Sequence, residues 1–340
     1  MKGQICLVPE LKGLGGMVSF QAKFINGLTT LNIPTSFDMT HPDNQTILVI
    51  GGTRKLWPLW RAKKRGIKIV QRLNGMNWLH KVEKTPLRSV LRAEVNNFIL
   101  AFIRRFLADH IVYQSHFSRD WWNRVYGAQS TSTQVTYNGV DLQAYSPQGP
   151  ETPPTDHYRI LLVEGHLSGA YARGLETAVQ MAHTVGIESN RKIELMVVGD
   201  VSEDLKTRAQ SIAPDLWISW RGIVSRDAIP AIDRSAHVLF SADLNAACPN
   251  SVIEALACGL PVVAFDTGAL RELVRDGAGE VISYGTDYWK LEAPKIQPLA
   301  VACTKILHEN SIYRNRARSR AKAAFDLGHM VKAYLEALVS

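Results

Sequence analysis

The chain has 340 residues, of which 46% are apolar and 21% are charged, and its formal net charge is +8. These proportions are ordinary for a soluble globular protein, and the length favours two domains that each bury a core of their own. A membrane-spanning helix is excluded, because no apolar run approaches the roughly 20 residues that one needs.

Predicted strands alternate with predicted helices along the first 140 residues. The strands are expected at 4–9, 46–51, 67–73, 110–114 and 134–137, and the helices at 18–28, 54–65, 86–107 and 119–126. Short apolar runs separated by helices are typical of a doubly wound parallel sheet.

A glycine-rich turn follows the first predicted strand. It contains Gly13, Gly15 and Gly16, and glycines between a strand and a helix let the backbone approach a phosphate closely. Gly15 and Gly16 are therefore predicted to contact a phosphate, the alternative being a plain strand–helix turn. The spacing is not G-x-G-x-x-G, and the second strand ends at Gly51 and Gly52 without an acidic residue, which disfavours a nicotinamide dehydrogenase.

Asn74 follows the third strand of this half, on the rim where open α/β sheets bind ligands. Its amide can hydrogen-bond a hydroxyl group but cannot act as a base at neutral pH. A turn formed by Asn74 and Gly75 is the alternative. Further along, 137–141 (Tyr-Asn-Gly-Val-Asp) is expected to form a tight turn in which Asp141 bonds its own backbone.

The positive charge is concentrated in the first half of the chain. Residues 1–150 hold 19 Lys and Arg against 8 Asp and Glu, a balance of +11, whereas the remainder holds 20 against 23, a balance of −3. A basic half indicates peripheral contact with an anionic membrane or a phosphorylated acceptor, the alternative being a solvated face. Residues 56–65 mix Trp with cations as interfacial helices do, although an ordinary crossover helix is the preferred interpretation. No nucleic-acid motif accompanies these charges.

Four prolines between 146 and 157 mark the predicted linker, after which the alternation starts again. Strands are expected at 159–163, 193–198, 216–220 and 237–241, and helices at 174–185, 202–212 and 226–232. We therefore predict domains at 1–150 and 151–325. A final amphipathic helix at 326–340 has Met330, Tyr334, Leu335 and Leu338 on one side.

The segment 249–268 predicts a loop, a short helix, a tight turn and a buried strand. Asn250 or Ser251 is expected to cap the helix, and Gly259 and Pro261 to end it before a strand at 262–265. The exposed helix start, with the amides of 250–252 including Val252, suits an anion. Glu254 lies one turn into the helix and suits the hydroxyls of a sugar, so the segment as a whole suits a nucleotide sugar.

This segment resembles the donor-binding motif of the retaining GT-B glycosyltransferases of family 4. The matching residues are Glu254, Ala255, Ala257, Gly259, Pro261, Val262, Gly268 and Glu272. One departure is that Ala246 stands where the family has a glutamate, eight residues before Glu254, and Asp243 is the nearest substitute. The resemblance implies two Rossmann-like domains that face a central cleft, with the final helix packed back on the first domain.

The resemblance also implies roles for a second loop, at 164–174. Gly165 and His166 stand where the family has Gly-Arg, and Arg173 stands for its Lys, after a gap two residues longer. Those cations neutralise the diphosphate leaving group in the family, so Arg173 is predicted to do so here. Arg221 is predicted to lie against the nucleotide base or its phosphates. A loop histidine and surface arginines are the alternatives.

The function predicted is retaining transfer of a sugar from a UDP- or GDP-sugar to an acceptor hydroxyl. Arg173, Glu254 and Asn74 are the candidate catalytic residues, and no metal or other cofactor is expected. The acceptor is expected to be a glycan, a lipid-linked molecule or a small molecule. Two alternatives are an inactive donor-binding protein, because of Ala246 and His166, and a nucleotide-sugar epimerase.

The four cysteines, Cys6, Cys248, Cys258 and Cys303, are scattered along the chain. This spacing indicates neither a disulfide framework nor a zinc site. The first strand follows Met1 too closely for a signal peptide. The expected location is therefore the cytoplasm, with peripheral contact at the inner face of the membrane as an extension of this prediction.

Overall fold

The computed structural model describes residues 3–13, 15–167 and 172–339, which divide into two compact units. Unit 1 comprises Met1–Gly139 and Leu327–Ser340, and unit 2 comprises Val140–Asp326. Within the described residues, each unit contains a six-stranded sheet whose neighbouring strands are all parallel. The predicted doubly wound α/β architecture is confirmed.

Unit 1 contains the first six strands, in the spatial order β2-β1-β3-β4-β5-β6. The strands are β1 (Gln4–Val8), β2 (Thr35–Ser36), β3 (Asn44–Ile50), β4 (Lys68–Leu73), β5 (His110–Tyr113) and β6 (Ser132–Val135). The helices are α1 (Gly16–Thr30), α2 (Leu56–Lys64), α3 (Leu87–Phe102), α4 (His116–Tyr126) and the C-terminal helix (Leu327–Val339), with a 3₁₀ turn at Leu79–Lys81. The helix predicted at 86–107 is thus α3 followed by a π-helical segment, Ile103–Leu107.

The sheet of unit 1 is covered by helices on both faces. Successive side chains of a strand point to opposite faces, so Ile5 and Leu7 enter one core and Cys6 and Val8 the other. The first core contains α1 and the C-terminal helix, and the second contains α2 and the π-helical segment.

The C-terminal helix lies directly against α1. The Tyr334 ring lies 5.0 Å from that of Phe20 and 5.5 Å from that of Phe24. Gly27 permits this close approach, because a Cβ there would lie 2.5 Å from Val331 Cγ2. Because its apolar face is buried between α1 and the sheet, the chain's last helix belongs structurally to unit 1.

Unit 2 contains the other six strands, in the order β12-β11-β10-β7-β8-β9. The strands are β7 (Tyr158–Leu167), β8 (Ile193–Val201), β9 (Trp217–Gly222), β10 (Val238–Ser241), β11 (Val262–Phe265) and β12 (Gly279–Ile282). The helices are α5 (Ala172–Ser189), α6 (Glu203–Ile212), α7 (Ile229–Arg234), α8 (Asn250–Ala257), α9 (Leu270–Leu273), α10 (Ile296–His308) and α11 (Asn310–Ala324), with 3₁₀ turns at Arg226–Ala228 and Tyr288–Lys290.

The structural division falls at Gly139, earlier in the chain than the proline-rich segment 146–157. The residues just after Gly139 are fixed by arginines of unit 2. Arg318 donates to the carbonyl oxygens of Leu142 and Tyr145, both at 2.8 Å. Arg234 binds the Glu151 carboxylate at 2.6 Å. These side-chain bonds, which no local pattern reveals, place 140–151 in unit 2.

Both sheets change winding direction at an internal pair of strands. In unit 1 the order runs one way from β1 through β3 to β6, and β2 lies on the other side of β1. In unit 2 it runs one way from β7 to β9 and the other way from β10 to β12. Ligands of open α/β sheets bind beyond the carboxyl ends of the strands at such switch points. The expected sites therefore lie beyond β1 and β3 in unit 1 and beyond β7 and β10 in unit 2.

All four cysteines are buried free thiols. Within the described residues, none of the helices combines the length and the apolar character that crossing a membrane requires.

Candidate functional site

The carboxyl end of β7 carries a bulge at the switch point of unit 2. The register between β7 and β8 shifts between Val163 and His166, so Glu164 and Gly165 occupy the irregularity. Gly199 of β8 lies against it with φ +140°, and a Cβ there would come within 1.9 Å of the Glu164 carbonyl oxygen. Gly199 therefore lets β8 pass close enough to fix the backbone of the bulge.

The bulge places Glu164 beside Asp243, which follows β10. Burial raises the pKa of both carboxyl groups, and the charge of Asp243 raises the pKa of Glu164 further. Two carboxyls that share a poorly hydrated site favour retention of a proton. The pair can therefore donate a hydrogen bond as well as accept several, which suits ligand hydroxyls. Glu164 was not predicted as a site residue, because its only signal in the sequence was an acidic residue at the end of a buried strand.

The acidic pair predicts a pH-dependent stability. The folded state holds a proton that the unfolded chain releases above about pH 4, so the free energy of unfolding falls as pH rises from about 5 to about 8. Asp243→Asn removes the part of this penalty that comes from Asp243 and its charge, so its Tm at about pH 8 should exceed that of the parent by roughly 2–4 °C. Scanning fluorimetry at several pH values measures this, with the exposed Asp227→Asn as control. Equal Tm profiles for parent and Asp243→Asn would contradict the protonated pair.

Helix α8 starts beyond β10, at the same end of the sheet. Pro249 occupies its N-cap position, and no side chain caps it within the described residues, so the prediction that Asn250 or Ser251 caps the helix is wrong. Proline has the φ that an N-terminal position requires, and it displaces Asn250 into the first turn. The backbone amides of Asn250, Ser251 and Val252 still form the anion-attracting start of the helix.

The loop before α8 is tightly packed on the turn that follows β11. A Cβ at Gly268, whose φ is +59°, would lie 2.6 Å from both the nitrogen and the oxygen of Ala246. The Ala269 amide donates to the Ala246 carbonyl at 2.9 Å. Next to it, Asn245 has φ +59° and is buried, and its side-chain amide has no hydrogen-bond partner among the described residues. Asn245 was not predicted as a site residue, because the sequence around it carries no local signal.

Glu254 is half-buried on the fifth position of α8. Burial, and next the charge of Glu254, raise the pKa of both Asp233 and Tyr145, so the Glu254 carboxylate lies close to both groups. Asp233 is 1% exposed, whereas Glu254 is only half-buried, so Glu254 is the member of this acidic pair that a ligand can reach.

The predicted cations of unit 2 lie at the same edge of the sheet. Arg173 is exposed near the start of α5, and its Nη1 donates to the Leu291 carbonyl at 3.0 Å. His166 Nδ1 lies 2.9 Å from Asp200 Oδ2, which orients the ring while both side chains stay exposed. Between them, 168–171 lie outside the described residues.

Gly165 and Arg221 complete the predicted contacts of unit 2. A Cβ at Gly165 would have no heavy atom within 4 Å, so the space beside this backbone is open. Arg221 is exposed at the end of β9. Since β8 separates β9 from β7, Arg221 stands about 10 Å to one side of the switch point.

In unit 1, Asn74 is the centre of a hydrogen-bond network beyond β4. Its Oδ1 accepts from Arg72 Nη1 at 2.7 Å and from Gln114 Nε2 at 2.6 Å. Its backbone carbonyl accepts from Trp122 Nε1 at 2.7 Å. With its oxygen atoms engaged, Asn74 presents its Nδ2 toward Gly51, where a Cβ would lie 3.6 Å away. Toward a ligand, Asn74 can thus donate a hydrogen bond through Nδ2, whereas its oxygen atoms already accept bonds within the protein. The sequence alone did not decide between these two roles.

Two supporting residues of this network were missed from the sequence. Arg72 is 1% exposed, its guanidinium lies 4.0 Å from the Phe20 ring centroid, and its Nη2 donates to Asn138 Oδ1 at 2.9 Å. Gln114 is also buried. Asp141 Oδ1 accepts from the amides of Gln143 and Ala144, as predicted, but the turn lies at 142–144 and not at Asn138 and Gly139.

The glycine turn lies beyond β1, at the switch point of unit 1. Gly15 has φ +119° and is the N-cap of α1, and Gly16 is the first residue of that helix. A Cβ at Gly15 would have nothing within 4 Å, so the backbone at the helix start is accessible. Leu14, between the predicted glycines, lies outside the described residues.

These features form two candidate ligand-binding edges, one in each unit. Unit 2 offers helix-start amides, one acidic pair, Glu254 and Arg173, a set that suits a phosphorylated molecule with free hydroxyls. Unit 1 offers a second helix start and the Asn74 amide. Among the described residues, no three His, Cys, Asp or Glu side chains gather in a way that could hold a metal ion.

Residues 158–308 match the family model described as Glycosyl transferases group 1. This range contains every predicted site residue of unit 2. Residues 158–308 are therefore a glycosyltransferase group 1 domain. The chain is also 29% identical, over 178 residues, to the GDP-mannose-dependent alpha-(1-6)-phosphatidylinositol dimannoside mannosyltransferase of Mycobacterium tuberculosis. That match covers 50% of this chain and 44% of the relative, so the chain spans less than half the length of this curated relative.

Solved structures extend the likeness of the group 1 domain to the fold of the whole chain. Anabaena HepE, in complex with UDP and glucose, has a TM-score of 0.70 at 15% identity, covering 99% of both chains. Sucrose-phosphate synthase from Thermosynechococcus elongatus has a TM-score of 0.66 at 17% identity, covering 96% of this chain and 80% of its own. The predicted GT-B fold and group 1 assignment are confirmed, and membership of family 4 stays a prediction.

Proposed function

We propose that this chain transfers a sugar, with retention, from a nucleoside-diphosphate sugar to an acceptor hydroxyl. The observation that carries the proposal is the group 1 domain, whose helix-start amides, Glu254 and Arg173 all stand at one sheet edge. UDP and GDP are the two candidate donors. The mannosyltransferase relative is GDP-mannose-dependent, and HepE was solved with UDP.

Each group of unit 2 is assigned to one part of the donor. The amides of Asn250–Val252 bind the phosphates, and Glu254 accepts hydrogen bonds from ribose hydroxyls. Glu164 and Asp243 are assigned to sugar hydroxyls, where Asp243 compensates for Ala246. Arg221 lies against the base. In unit 1, Gly15 and Gly16 stay assigned to contact with a phosphate, and the Asn74 amide to a hydrogen bond with a sugar hydroxyl.

The chemical step exchanges one bond at the anomeric carbon for another. The bond from this carbon to the diphosphate oxygen breaks, and the acceptor oxygen bonds to it on the same face. The acceptor proton passes to the departing phosphate oxygen. Arg173 stabilises the negative charge that grows on the diphosphate, which is electrostatic stabilisation of the transition state. In this scheme the cation and the helix starts serve in place of a metal.

Ala246 motivates a second candidate, a donor-binding protein without transferase activity. Its buried methyl group lies where the resembling family has a carboxylate. Donor binding without transfer or hydrolysis would favour this candidate. Conversion of the donor to an epimer in the absence of acceptor would instead favour the epimerase.

Calorimetric titration with UDP, GDP, ADP and NAD, with and without magnesium, tests the donor site. One diphosphate is expected to bind without magnesium, and Glu254→Gln should weaken its binding by about tenfold or more, because a charged hydrogen-bond acceptor is lost. The exposed Glu203→Gln serves as the matched control. Failure of all three diphosphates to bind would overturn the proposal.

A further inference from the structure

Helix α3 exposes a row of large apolar side chains. Leu87, Leu91, Val95 and Phe98 are 82%, 64%, 39% and 64% exposed. Their spacing of four, four and three residues confines them to an arc of about 80° on one side of the helix. Phe106, in the π-helical segment, is 61% exposed. These five side chains together form the apolar stripe.

The apolar stripe does not hold the helix in place. Ile103 and Leu107, just beyond α3, are buried in the second core of unit 1, and Ile99 packs against that core. Leu100 lies against the backbone of Gly52, where a Cβ would be 3.1 Å from its Cδ2. The helix is therefore anchored by its opposite face, and a contiguous exposed apolar row of this kind marks an interaction surface.

Exposed cations lie beside the apolar stripe. They are Lys81, Lys84, Arg88, Arg92 and Arg105. Of the acidic residues nearby, Glu94 is paired with His80 at 2.7 Å and with Lys81 at 3.4 Å. An apolar face that contains phenylalanines and is bordered by lysines and arginines matches an anionic lipid surface, which rewards apolar burial and positive charge together.

The neighbouring helix α2 exposes two further aromatic side chains. Trp57 and Trp60 are exposed and stacked, with ring centroids 4.9 Å apart, while Leu59 packs into the core. Helix α2 connects the parallel strands β3 and β4, as the preferred interpretation of a crossover helix predicted, but its two Trp side chains stay exposed instead of packing on the sheet. Lys63 ties α2 to the segment that bears Phe106, because its Nζ donates to the Leu107 carbonyl at 2.9 Å. Tryptophan favours the membrane–water interface.

A second copy of the chain fits this surface less well. A two-fold interface would place the apolar stripe against itself and bring the five cations of one copy close to the same five of the other. Like charges that face each other across an interface cost several kcal/mol. The charge of the surface thus favours an anionic partner.

We propose that the apolar stripe, with Trp57 and Trp60, docks on the surface of an anionic lipid bilayer, where Leu91 and Phe98 enter the region between head groups and acyl chains. The opposite face of α3 touches Gly52 at the switch-point edge of unit 1. Docking would therefore hold that edge within roughly one helix diameter, about 10 Å, of the lipid. The inference does not depend on the proposed transfer reaction.

Co-sedimentation of the full chain with lipid vesicles tests this surface. We expect sedimentation with vesicles of phosphatidylcholine mixed with phosphatidylglycerol, and little with phosphatidylcholine alone. The double variant Leu91→Ser/Phe98→Ser should bind at least about tenfold more weakly, since two apolar side chains no longer insert. Arg88→Glu/Arg92→Glu should abolish the preference for phosphatidylglycerol.

Matched controls come from exposed positions of unit 2. Ile187→Ser in α5 replaces an apolar side chain with serine, and Lys322→Glu in α11 replaces a cation with an acid, as the test variants do. Both positions lie away from the apolar stripe, so these variants should bind vesicles like the parent. Circular dichroism and Tm show whether each variant folds. Equal vesicle binding by parent and Leu91→Ser/Phe98→Ser, or no binding by the parent, would overturn the proposal. A parent dimer that Leu91→Ser/Phe98→Ser converts to monomer, without vesicle binding, would assign the stripe to self-association.

Discussion

Replacing Arg173 with alanine is expected to lower kcat by about a hundred- to a thousandfold, the loss typical when one preorganised group that stabilises transition-state charge is removed. Arg173 is exposed near the start of α5, beyond the bulge of β7, and its Nη1 is tethered to the Leu291 carbonyl. Burial raises the pKa of Tyr284 and the charge of Arg173 partly offsets this, so the two groups are neighbours. One nitrogen of the guanidinium is thus fixed, while the side chain as a whole stays accessible to a ligand.

The Arg173→Lys variant refines this prediction. Lysine keeps the positive charge but cannot contact two phosphate oxygens in the planar, bidentate way of arginine. We expect it to recover part of the lost kcat with little change in KM for the donor. Arg208→Ala, an exposed arginine of α6 paired with Glu176, is the control.

Steady-state rates of transfer, or of donor hydrolysis, measure these variants against the donor established by titration. Tm values establish that unit 2 remains folded. A normal kcat in Arg173→Ala would contradict its assignment to the leaving group. A raised KM with unchanged kcat would instead assign it to ground-state binding of the donor.

Replacing Gly199 with alanine is expected to destabilise unit 2 by roughly 3 kcal/mol or more. Two costs combine at this position. The φ of +140° is one that residues with a Cβ rarely adopt, and the added Cβ would lie 1.9 Å from the Glu164 carbonyl oxygen. Neither β7 nor β8 can move away freely, because each is paired on both sides in the middle of the sheet.

Gly222→Ala separates these two costs. Gly222 has φ +65°, but a Cβ there would have no heavy atom within 4 Å. Its substitution should therefore cost only the backbone strain, about 1–2 kcal/mol. Denaturant unfolding gives both values. A loss for Gly199→Ala no greater than that for Gly222→Ala would show that the close approach to Glu164 does not constrain the bulge.

Gly199→Ala should also weaken donor binding in whatever fraction stays folded. The bulge sets the position of Glu164 beside Asp243, and a shifted backbone would separate the two carboxyl groups. Titration with the bound diphosphate and with the intact sugar nucleotide distinguishes the two parts of the donor. We expect the larger loss for the sugar nucleotide, because the acidic pair is assigned to the sugar.

Local sequence patterns predicted most of the secondary structure because the information they use is local. The strand β11 was predicted at 262–265 as found, since its buried run is enclosed by Pro261 and by the turn at Gly268. The cap of α8 was predicted wrongly for a related reason. Asn250 and Ser251 have the higher capping preference, but Pro249 fits the same position and fixes the chain one residue earlier.

The candidate site was only partly predictable. Arg173 and His166 in one short segment, and Glu254 in another, could be proposed from the sequence because both segments resemble family motifs. Glu164 and Asp243 are 79 positions apart in the chain, and the acidic pair exists only because β7 and β10 are neighbours at the switch point. Asn245 was invisible for a similar reason, since its burial depends on the approach of Gly268.

The sequence by itself determined the two α/β units, the direction of their strands and the helix starts beyond them, because these follow from apolar periodicity and from the glycines and prolines that end each element. Tertiary structure alone decided where the division between the units falls, which carboxyls lie side by side and which face of α3 stays in water. Each of these depends on contacts between residues far apart in the chain. The burial and the electrostatic surroundings of these residues are set by packing between distant segments, so the residues next to them in the sequence do not reveal them.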